Sequence, residues 1–196
     1  MHNRFVAGSN PAGPTNRCHD IKTINIHSSE IFESETFINK DFTKKSFVGA
    51  TFRDCSFENC NLSNTDFSRS SIQGVIFKEC KILGVDFSRC NKFLLDFSFM
   101  DSKISMSVFS GLNLKGVIFD SCEIFECDFI QTDLSKVDFK NSNLRGSRFQ
   151  NSNLSFTSFE TSSSYSINPN ENILKKTKFS IPEIIGLLDI YDLDIK

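Results

Sequence analysis

Cysteine is the residue type whose chemistry and spacing first suggest a site in this chain. Cys60 and Cys80 lie twenty residues apart and Cys122 and Cys127 lie five apart, so a disulfide or a metal ion has to be considered. No two cysteines have the C-x-x-C spacing of metal and redox motifs. Six of the seven recur instead at one position of a five-residue pattern: Cys55, Cys60, Cys80, Cys90, Cys122 and Cys127. We predict that these six thiols pack in a core, with a disulfide or a metal site as the alternative.

The remaining residues that could do chemistry offer little to an enzyme. All three histidines, His2, His19 and His27, precede the regular part of the sequence, as does the last thiol, Cys18. Glycine-rich phosphate-binding motifs are absent from the sequence. We therefore expect no enzymatic activity, no cofactor and no metal. An enzyme or ligand-binding module is the least favoured hypothesis, and a deep polar pocket would support it.

Length and composition narrow the class of protein. The chain has 196 residues, of which 22 are Phe, and its 22 Lys and Arg nearly balance its 24 Asp and Glu. Its apolar runs are far shorter than the roughly 18 residues of a membrane span. The charge balance is unlike that of a general nucleic-acid binder. We expect neither nucleic acid nor a membrane as a direct partner, and a cytoplasmic location, because the first residues lack the apolar segment of a secretory signal.

Most of the phenylalanines fall on two lattices with a period of five residues. The first lattice comprises Phe32, Phe37, Phe42, Phe47, Phe52, Phe57, Leu62, Phe67, Ile72, Phe77, Ile82, Phe87 and Phe97. The second, shifted by two residues, comprises Phe99, Ile104, Phe109, Leu114, Phe119, Ile124, Phe129, Leu134, Phe139, Leu144, Phe149, Leu154 and Phe159. A period of five fits neither a helix nor a strand, so it predicts a turn in every repeat.

The neighbours of each lattice residue complete the pattern. A small residue lies two positions before the centre, and Asp, Asn or Ser often lies one position before it, as in Cys127-Asp128-Phe129. This pattern resembles the pentapeptide-repeat family over roughly residues 30–160, most closely in 132–139 and 142–147. The resemblance implies an all-β solenoid, a right-handed quadrilateral β-helix with about four repeats in each coil.

A coil of twenty residues predicts which side chains stack. We expect one ladder through Phe37, Phe57, Phe77 and Phe97, a second through Phe109, Phe129 and Phe149, and a third through Leu114, Leu134 and Leu154. Such ladders fill the axis of the solenoid and leave no cavity for a substrate.

The sequence divides into three parts. We expect a disordered tail over 1–20, the β-helix over 21–160, and a turn, a capping helix and a dimerisation segment over 161–196. Ser180 and Glu183 have the spacing of a capping box, and the apolar residues after them recur at helical spacing. The apolar face left over after capping is expected to join a second copy of the chain. The candidate dimer residues are Ile184, Ile185, Leu187, Leu188 and Tyr191.

The repeat slips by two residues between Phe87 and Ile104, where Lys92 falls on a core position. We favour a local bulge that absorbs a two-residue insertion and directs Lys92 outward. The alternative is a protruding loop that contacts a partner through Lys92 and Phe93, because insertions in solenoids tend to lie on a binding face.

The C-terminal segment resembles that of a functional subgroup of the family. A Phe-Ser-x-Pro-Glu segment before a short apolar helix is similar to the ending of quinolone-resistance (Qnr-like) proteins and of microcin and albicidin immunity proteins. Those relatives dimerise, bind DNA gyrase or topoisomerase IV and relieve poisoning of the cleaved-DNA complex, a role linked to mimicry of duplex DNA. The resemblance implies a similar role here, and a general protein-interaction scaffold is the alternative.

Charge supports the DNA-mimic idea only locally. Residues 30–160 contain 18 acidic and 15 basic residues, a net of −3, far from the roughly one negative charge per 1.7 Å of duplex DNA. The densest acidic group is Asp120, Glu123, Glu126, Asp128, Asp133 and Asp138. We consider these six candidate partner-binding residues, with a solvated charged face as the alternative.

Overall fold

The structure is a computed structural model that describes residues 30–191 and 193–194. The expected tail over 1–20, the three histidines and Cys18 lie outside the described residues. Thirteen short strands follow in order: β1 Ile31–Glu33, β2 Thr36–Ile38, β3 Thr51–Arg53, β4 Ser56–Glu58, β5 Ser71–Gln73, β6 Val75–Lys78, β7 Lys81–Leu83, β8 Phe97–Met100, β9 Lys103–Ser105, β10 Phe119–Asp120, β11 Glu123–Phe125, β12 Asp128–Ile130 and β13 Arg148–Gln150.

The five-residue repeat is short because each repeat is one extended segment, either a short strand or an isolated β-bridge, and one corner. A typical strand such as β1 buries only its middle residue and exposes the two beside it. Two residues after most centres, the backbone enters the left-handed region, as at Ser34 (φ 54°), Asn39 (φ 56°) and Lys44 (φ 57°). The chain therefore turns a corner every five residues, and four of these extended segments make one coil.

Successive coils pair as parallel strands on four faces. Face 1 holds β1, β3 and β5, face 2 holds β2, β4, β6, β8 and β10, face 3 holds β7, β9 and β11, and face 4 holds β12 and β13. Partners in register are mostly twenty residues apart, as in Phe32 with Phe52 and Phe129 with Phe149. The predicted solenoid with four repeats per coil is confirmed.

The core consists of stacked rings. On face 2, Phe37, Phe57, Phe77, Phe99, Phe119, Phe139, Phe159 and Phe179 form one continuous ladder. Neighbouring centroids in this ladder are 4.8 to 5.4 Å apart. A second ladder on face 4 contains the predicted Phe109, Phe129 and Phe149, while Leu114, Leu134 and Leu154 are buried on face 1. Rings on different faces meet edge to face, the other geometry that aromatic pairs favour.

One predicted ladder position is wrong. Phe97 does not stack on Phe77, because β6 and β8 pair with a spacing of 22 residues rather than 20. Val75 lies beside Phe97, and Phe77 lies beside Phe99. Phe97 thus occupies the position two residues before the centre, where most other repeats have a small residue. The two extra residues lie between Asn91 and Asp96.

Stacking continues past residue 160, where the sequence suggested that the β-helix ends. Ile173 and Lys178 form parallel bridges with Asn153 and Ser158, and Phe179 stacks on Phe159 at 5.4 Å. Leu174 and Phe179 fall on the second lattice. They follow two repeats in which the central position has no large apolar residue.

The C-terminal cap is built from 3-10 helices at Glu183–Leu187 and Asp189–Tyr191, and a third 3-10 helix lies at Phe87–Arg89. The capping box predicted from Ser180 is wrong, because the helix begins after Pro182 without a side-chain cap. The Glu183 carboxylate accepts a hydrogen bond from the Ser164 N–H instead. In the described residues no helix has the length and apolarity needed to cross a membrane.

Candidate interaction surface

The segment between Asn91 and Asp96 is an ordered loop that projects from face 1. The Asn91 N–H donates to Ser70 O at 2.8 Å, and the Asp96 N–H donates to Ile72 O at 2.9 Å, so both ends of the loop are fixed to the coil below. Lys92 points outward, as predicted, and its Nζ donates to Gly111 O at 3.0 Å. Leu95 packs against the core near the position that Lys92 vacates.

The tip of the loop is apolar and exposed. Phe93 is 71% exposed and Leu94 is 63% exposed, although burial is the usual state for both residue types. The Phe93 N–H donates to the Asn91 side chain at 3.0 Å, which holds the turn in place. Two large side chains that face water on a fixed turn have the character of a partner contact.

Face 2 carries a second exposed apolar group that the sequence analysis missed. Ile76, Met100 and Ile118 each lie on the outer side of the five-stranded sheet and are 38 to 48% exposed. Ser98 lies in register with Ile76 on one side, and Met100 with Asp120 on the other. A sequence signal was available, because these residues flank lattice centres at positions that are mostly polar elsewhere.

The structure does not bring the six acidic candidates together. Asp120 and Asp138 lie on face 2, Glu123 and Glu126 on face 3, Asp128 on face 4 and Asp133 on face 1. Consecutive repeats occupy consecutive faces, so residues that are dense in sequence are spread around the rod.

Three of these carboxylates pair with a cation on a neighbouring coil. Asp120 lies 2.9 Å from Lys140 Nζ, Glu123 lies 3.2 Å from Lys103 Nζ, and Asp128 makes a bidentate contact with Arg148. The hydrogen bond from Lys140 holds the pKa of Asp120 below its usual value. Among the described residues, Glu126, Asp133 and Asp138 have no cation within 4 Å.

The candidate dimer residues lie together at the C-terminal end. Ile184, Ile185, Leu188 and Tyr191 are 39 to 51% exposed, whereas Leu187 packs against the core. Three further exposed apolar residues at this end were not among the candidate dimer residues: Ile181, which the sequence placed on the apolar stripe of the cap, Ile190 and Leu193.

The six described cysteines are free and buried, which confirms that they are packing residues. The Sγ atoms of Cys60 and Cys80 donate to the carbonyl oxygens of Phe37 and Phe57 at 3.2 and 3.3 Å. Burial raises the pKa of Cys122 and of Cys127 to about 12, which keeps both thiols protonated and unreactive.

A shallow groove of about 290 Å³ crosses face 3 over the middle coils. Its lining includes Lys81, Lys103, Glu123 and Phe125, and the ion pair between Lys103 and Glu123 occupies one side. The groove is open to solvent, and the core beneath it is filled by Ile104.

In comparisons with known proteins, two family descriptions match the part of the chain that forms the coils. The family description "Pentapeptide repeat region" matches residues 30–92 and 50–126, and "Pentapeptide repeats (8 copies)" matches 122–160. No curated protein matches the sequence significantly. Together the family matches cover residues 30–160, the part in which the coils stack regularly.

The chain also matches solved structures of two other proteins. Full-length QnrB1, described as a plasmid-mediated fluoroquinolone resistance protein, is 20% identical, with 84% of this chain and 91% of that chain covered and a TM-score of 0.44. HetL, described as involved in heterocyst differentiation regulation in the cyanobacterium Nostoc, is 12% identical, with 78% and 87% covered and a TM-score of 0.47.

Proposed function

The chain belongs to the pentapeptide-repeat family, and on this premise we propose that it is a non-enzymatic interaction protein that binds DNA gyrase or topoisomerase IV and protects it from poisons. The observation that carries the interaction role is the loop at 91–96. This two-residue insertion presents Phe93 and Leu94 to solvent while both of its ends are fixed.

The loop is suited to binding because its shape is set before the partner arrives. Hydrogen bonds from Asn91, Lys92 and Asp96 to neighbouring coils fix the backbone, so little conformational entropy is lost on association. An exposed aromatic and a leucine supply the apolar anchor, and Lys92 supplies a cation beside them. Such anchors contribute most of the energy in protein interfaces.

Acidic residues have a smaller part in this proposal than the sequence suggested. Ion pairs offset Asp120, Glu123 and Asp128, and the six candidates lie on all four faces, so an extended imitation of duplex DNA has little support. Partial mimicry would be limited to carboxylates such as Glu126 and Asp138.

We propose that the C-terminal end joins two protomers. Ile184, Ile185, Leu188 and Tyr191 present apolar side chains on a short rigid cap, and a two-fold contact would bury the same residues from both chains. Leu187 supports the cap from inside rather than forming the contact.

The topoisomerase role rests on the resemblance of repeat and C-terminal motif, and an enzyme assay tests it. DNA gyrase would be assayed for supercoiling in the presence of a fluoroquinolone, with and without the purified protein. We expect the protein to restore supercoiling. Lack of protection, together with lack of binding to gyrase at micromolar concentration, would reject this partner.

The alternative is a scaffold for a different protein, and the apolar group on face 2 favours it. Ile76, Met100 and Ile118 form a contact region that is separate from the loop and has no obvious part in topoisomerase protection. A scaffold is supported if the protein fails to bind gyrase while Ile118→Asp abolishes the capture of another partner.

A further inference from the structure

We propose that the corner between faces 1 and 2 in the C-terminal half binds the surface of an anionic lipid bilayer. This corner carries a group of exposed cationic and apolar residues, which we call the basic ridge: Lys115, Lys136, Phe156, Ile173, Lys175 and Lys176. The proposal goes beyond the proposed function and does not depend on it.

The coil register places these residues side by side. The Lys136 N–H donates to Ser155 O at 3.0 Å, and the Phe156 N–H donates to Lys175 O at 2.9 Å. Lys136, Phe156 and Lys176 therefore occupy the same corner of three successive coils, about 4.8 Å apart along the rod. Lys176 Nζ lies 5.8 Å from the centroid of the Phe156 ring.

Among the described residues, the ridge lysines lack the ion pairs that some lysines elsewhere on the rod make, a property that they share with Lys44 and Lys81. Lys103, Lys140 and Lys178 each lie within 3.3 Å of a carboxylate on a neighbouring coil. In the part of the chain that the structure describes, no carboxylate lies within 4 Å of any ridge lysine. The outer side of face 1 over these coils has one acidic residue, Asp133, which already accepts hydrogen bonds from Ser135 and Asn153, and the adjoining side of face 2 has Asp138.

Phe156 adds an exposed aromatic ring to the ridge. Its φ is 62°, and it is the one aromatic residue with a left-handed backbone in the described ranges. A bulky residue in this region is a conformational outlier, and Asn or Gly would fit the corner with less strain. The ring is nonetheless 45% exposed, so core packing does not explain its presence.

The shape and chemistry favour a bilayer over a nucleic acid. Single-stranded nucleic acids bind in grooves lined by several aromatic residues, whereas this corner is convex and has one. A planar anionic membrane suits a convex ridge, because lysines can reach the headgroups while Phe156 and Ile173 enter the apolar boundary. The near-neutral charge of the whole chain conceals this local excess of cations.

Flotation with vesicles tests the proposal on the full chain. We expect binding to vesicles of phosphatidylglycerol mixed with phosphatidylcholine and little binding to pure phosphatidylcholine. Raising the salt from 0.1 to 1 M should weaken binding, since the screening length falls from about 10 to about 3 Å. The double variant Lys136→Glu with Lys176→Glu should bind at least about 25-fold more weakly, since each lysine near an anionic leaflet strengthens binding about fivefold and the added carboxylates are repelled by it.

A matched control separates the ridge from overall charge. Lys44→Glu with Lys81→Glu changes the net charge equally, on exposed residues of face 3, and Lys44 has the same left-handed backbone as the ridge corners. This variant should keep most of the binding. Phe156→Asn, which suits the corner backbone, should lower the binding that persists at high salt.

Three results would overturn the proposal. They are failure of the wild-type protein to bind the anionic vesicles, equal loss of binding in the ridge and control variants, and binding of the ridge to a single-stranded oligonucleotide in preference to the vesicles.

Discussion

Phe77 stacks on Phe99, with ring centroids 5.1 Å apart and planes at 14°, while Phe97 lies beside Val75. The two extra residues that produce this register are accommodated without breaking the ring ladder, since the chain leaves the core at Lys92 and returns at Leu95. The bulge that the sequence favoured therefore also protrudes from the rod, and its contact with a partner stays a proposal.

Removal of Lys92 and Phe93 should leave the fold intact. The remaining Cys90-Asn91-Leu94-Leu95-Asp96 has a small residue, Asn and Leu in the order of a normal repeat, and it restores the twenty-residue spacing. We expect the free energy of unfolding to stay within about 1 kcal/mol of the wild type. Urea denaturation measures it, and a larger loss would show that the loop has a structural role.

Tyr165→Phe should stabilise the protein. The Tyr165 ring is buried between Phe159 and Phe179, and its hydroxyl has no hydrogen-bond partner among the described residues. Removing an unpaired buried hydroxyl should raise the free energy of unfolding by about 1 kcal/mol. Tyr191→Phe is the control, because that hydroxyl is exposed and accepts a hydrogen bond from Asn170. If Tyr165→Phe is less stable than the wild type, the Tyr165 hydroxyl must form a hydrogen bond in the folded protein.

Gly186→Ala should detach the C-terminal cap. A β-carbon at this position would clash with the Tyr165 carbonyl oxygen, which is rigid backbone. We expect a loss of about 1–3 kcal/mol, with faster hydrogen exchange at the Ile167 N–H, which donates to Gly186 O. Gly116→Asn tests the generic effect of replacing a glycine, since space is open there and Asn tolerates φ 78°. Similar exchange rates in Gly186→Ala and the wild type would argue against this contact.

Leu188→Asp should yield a folded monomer. Leu188 is 39% exposed, so a charge there is solvated in the monomer but unpaired in an apolar interface. Light scattering at micromolar concentration measures the mass, and a thermal melt checks folding. Leu187→Asp should instead loosen the cap, because Leu187 packs on the core. An unchanged dimer mass in Leu188→Asp would place the interface elsewhere, and a monomeric wild type would remove the dimer from the account.

Low pH should remove the stabilisation that the Asp66 carboxylate gives to the fold. Burial raises the pKa of this carboxyl, but hydrogen bonds from Ser68 and the charges of Arg89 and Arg69 outweigh that effect, so its pKa lies below the ordinary value. Its contribution is present above about pH 4, the unfolded value, and is lost as the pH falls through the lower folded value. Asp66→Asn should therefore reduce the loss of stability between pH 5 and 2, measured by urea denaturation. Asp138→Asn is the control, because the Asp138 carboxylate has no hydrogen bond among the described residues. If Asp66→Asn and the wild type lose stability equally between pH 5 and 2, Asp66 does not have this role.

The sequence predicted the coil well, because the period of five directly reports a physical repeat of strand and corner. The buried cysteines followed from the same lattice. The cap was less predictable: the apolar spacing after Ser180 indicated an α-helix, but contacts with Tyr165 and Ser164 favour 3-10 turns. Such contacts depend on the three-dimensional position of the last coil, which the local pattern does not contain.

The sequence predicted the position of the loop but not the arrangement of the acidic residues, because that arrangement also depends on the three-dimensional position of each coil. Lys92 and Phe93 stood out as a break in the lattice, and the loop is where the pattern placed it. The acidic residues looked like one group because they are close in sequence, yet consecutive repeats face different directions. Assigning each residue to a face by its position in the twenty-residue coil, with the two-residue shift of the second lattice included, would have separated them, and would also have found Ile76 and Ile118 on face 2.

The most direct test of the central claim compares the wild type with the variant that lacks Lys92 and Phe93 in a gyrase supercoiling assay containing a fluoroquinolone. Both proteins would be used at equal concentration after their folding has been confirmed. We predict that the wild type restores supercoiling and that the variant does not. Equal protection by both would contradict the role of the loop, and absence of protection by the wild type would contradict the topoisomerase role itself.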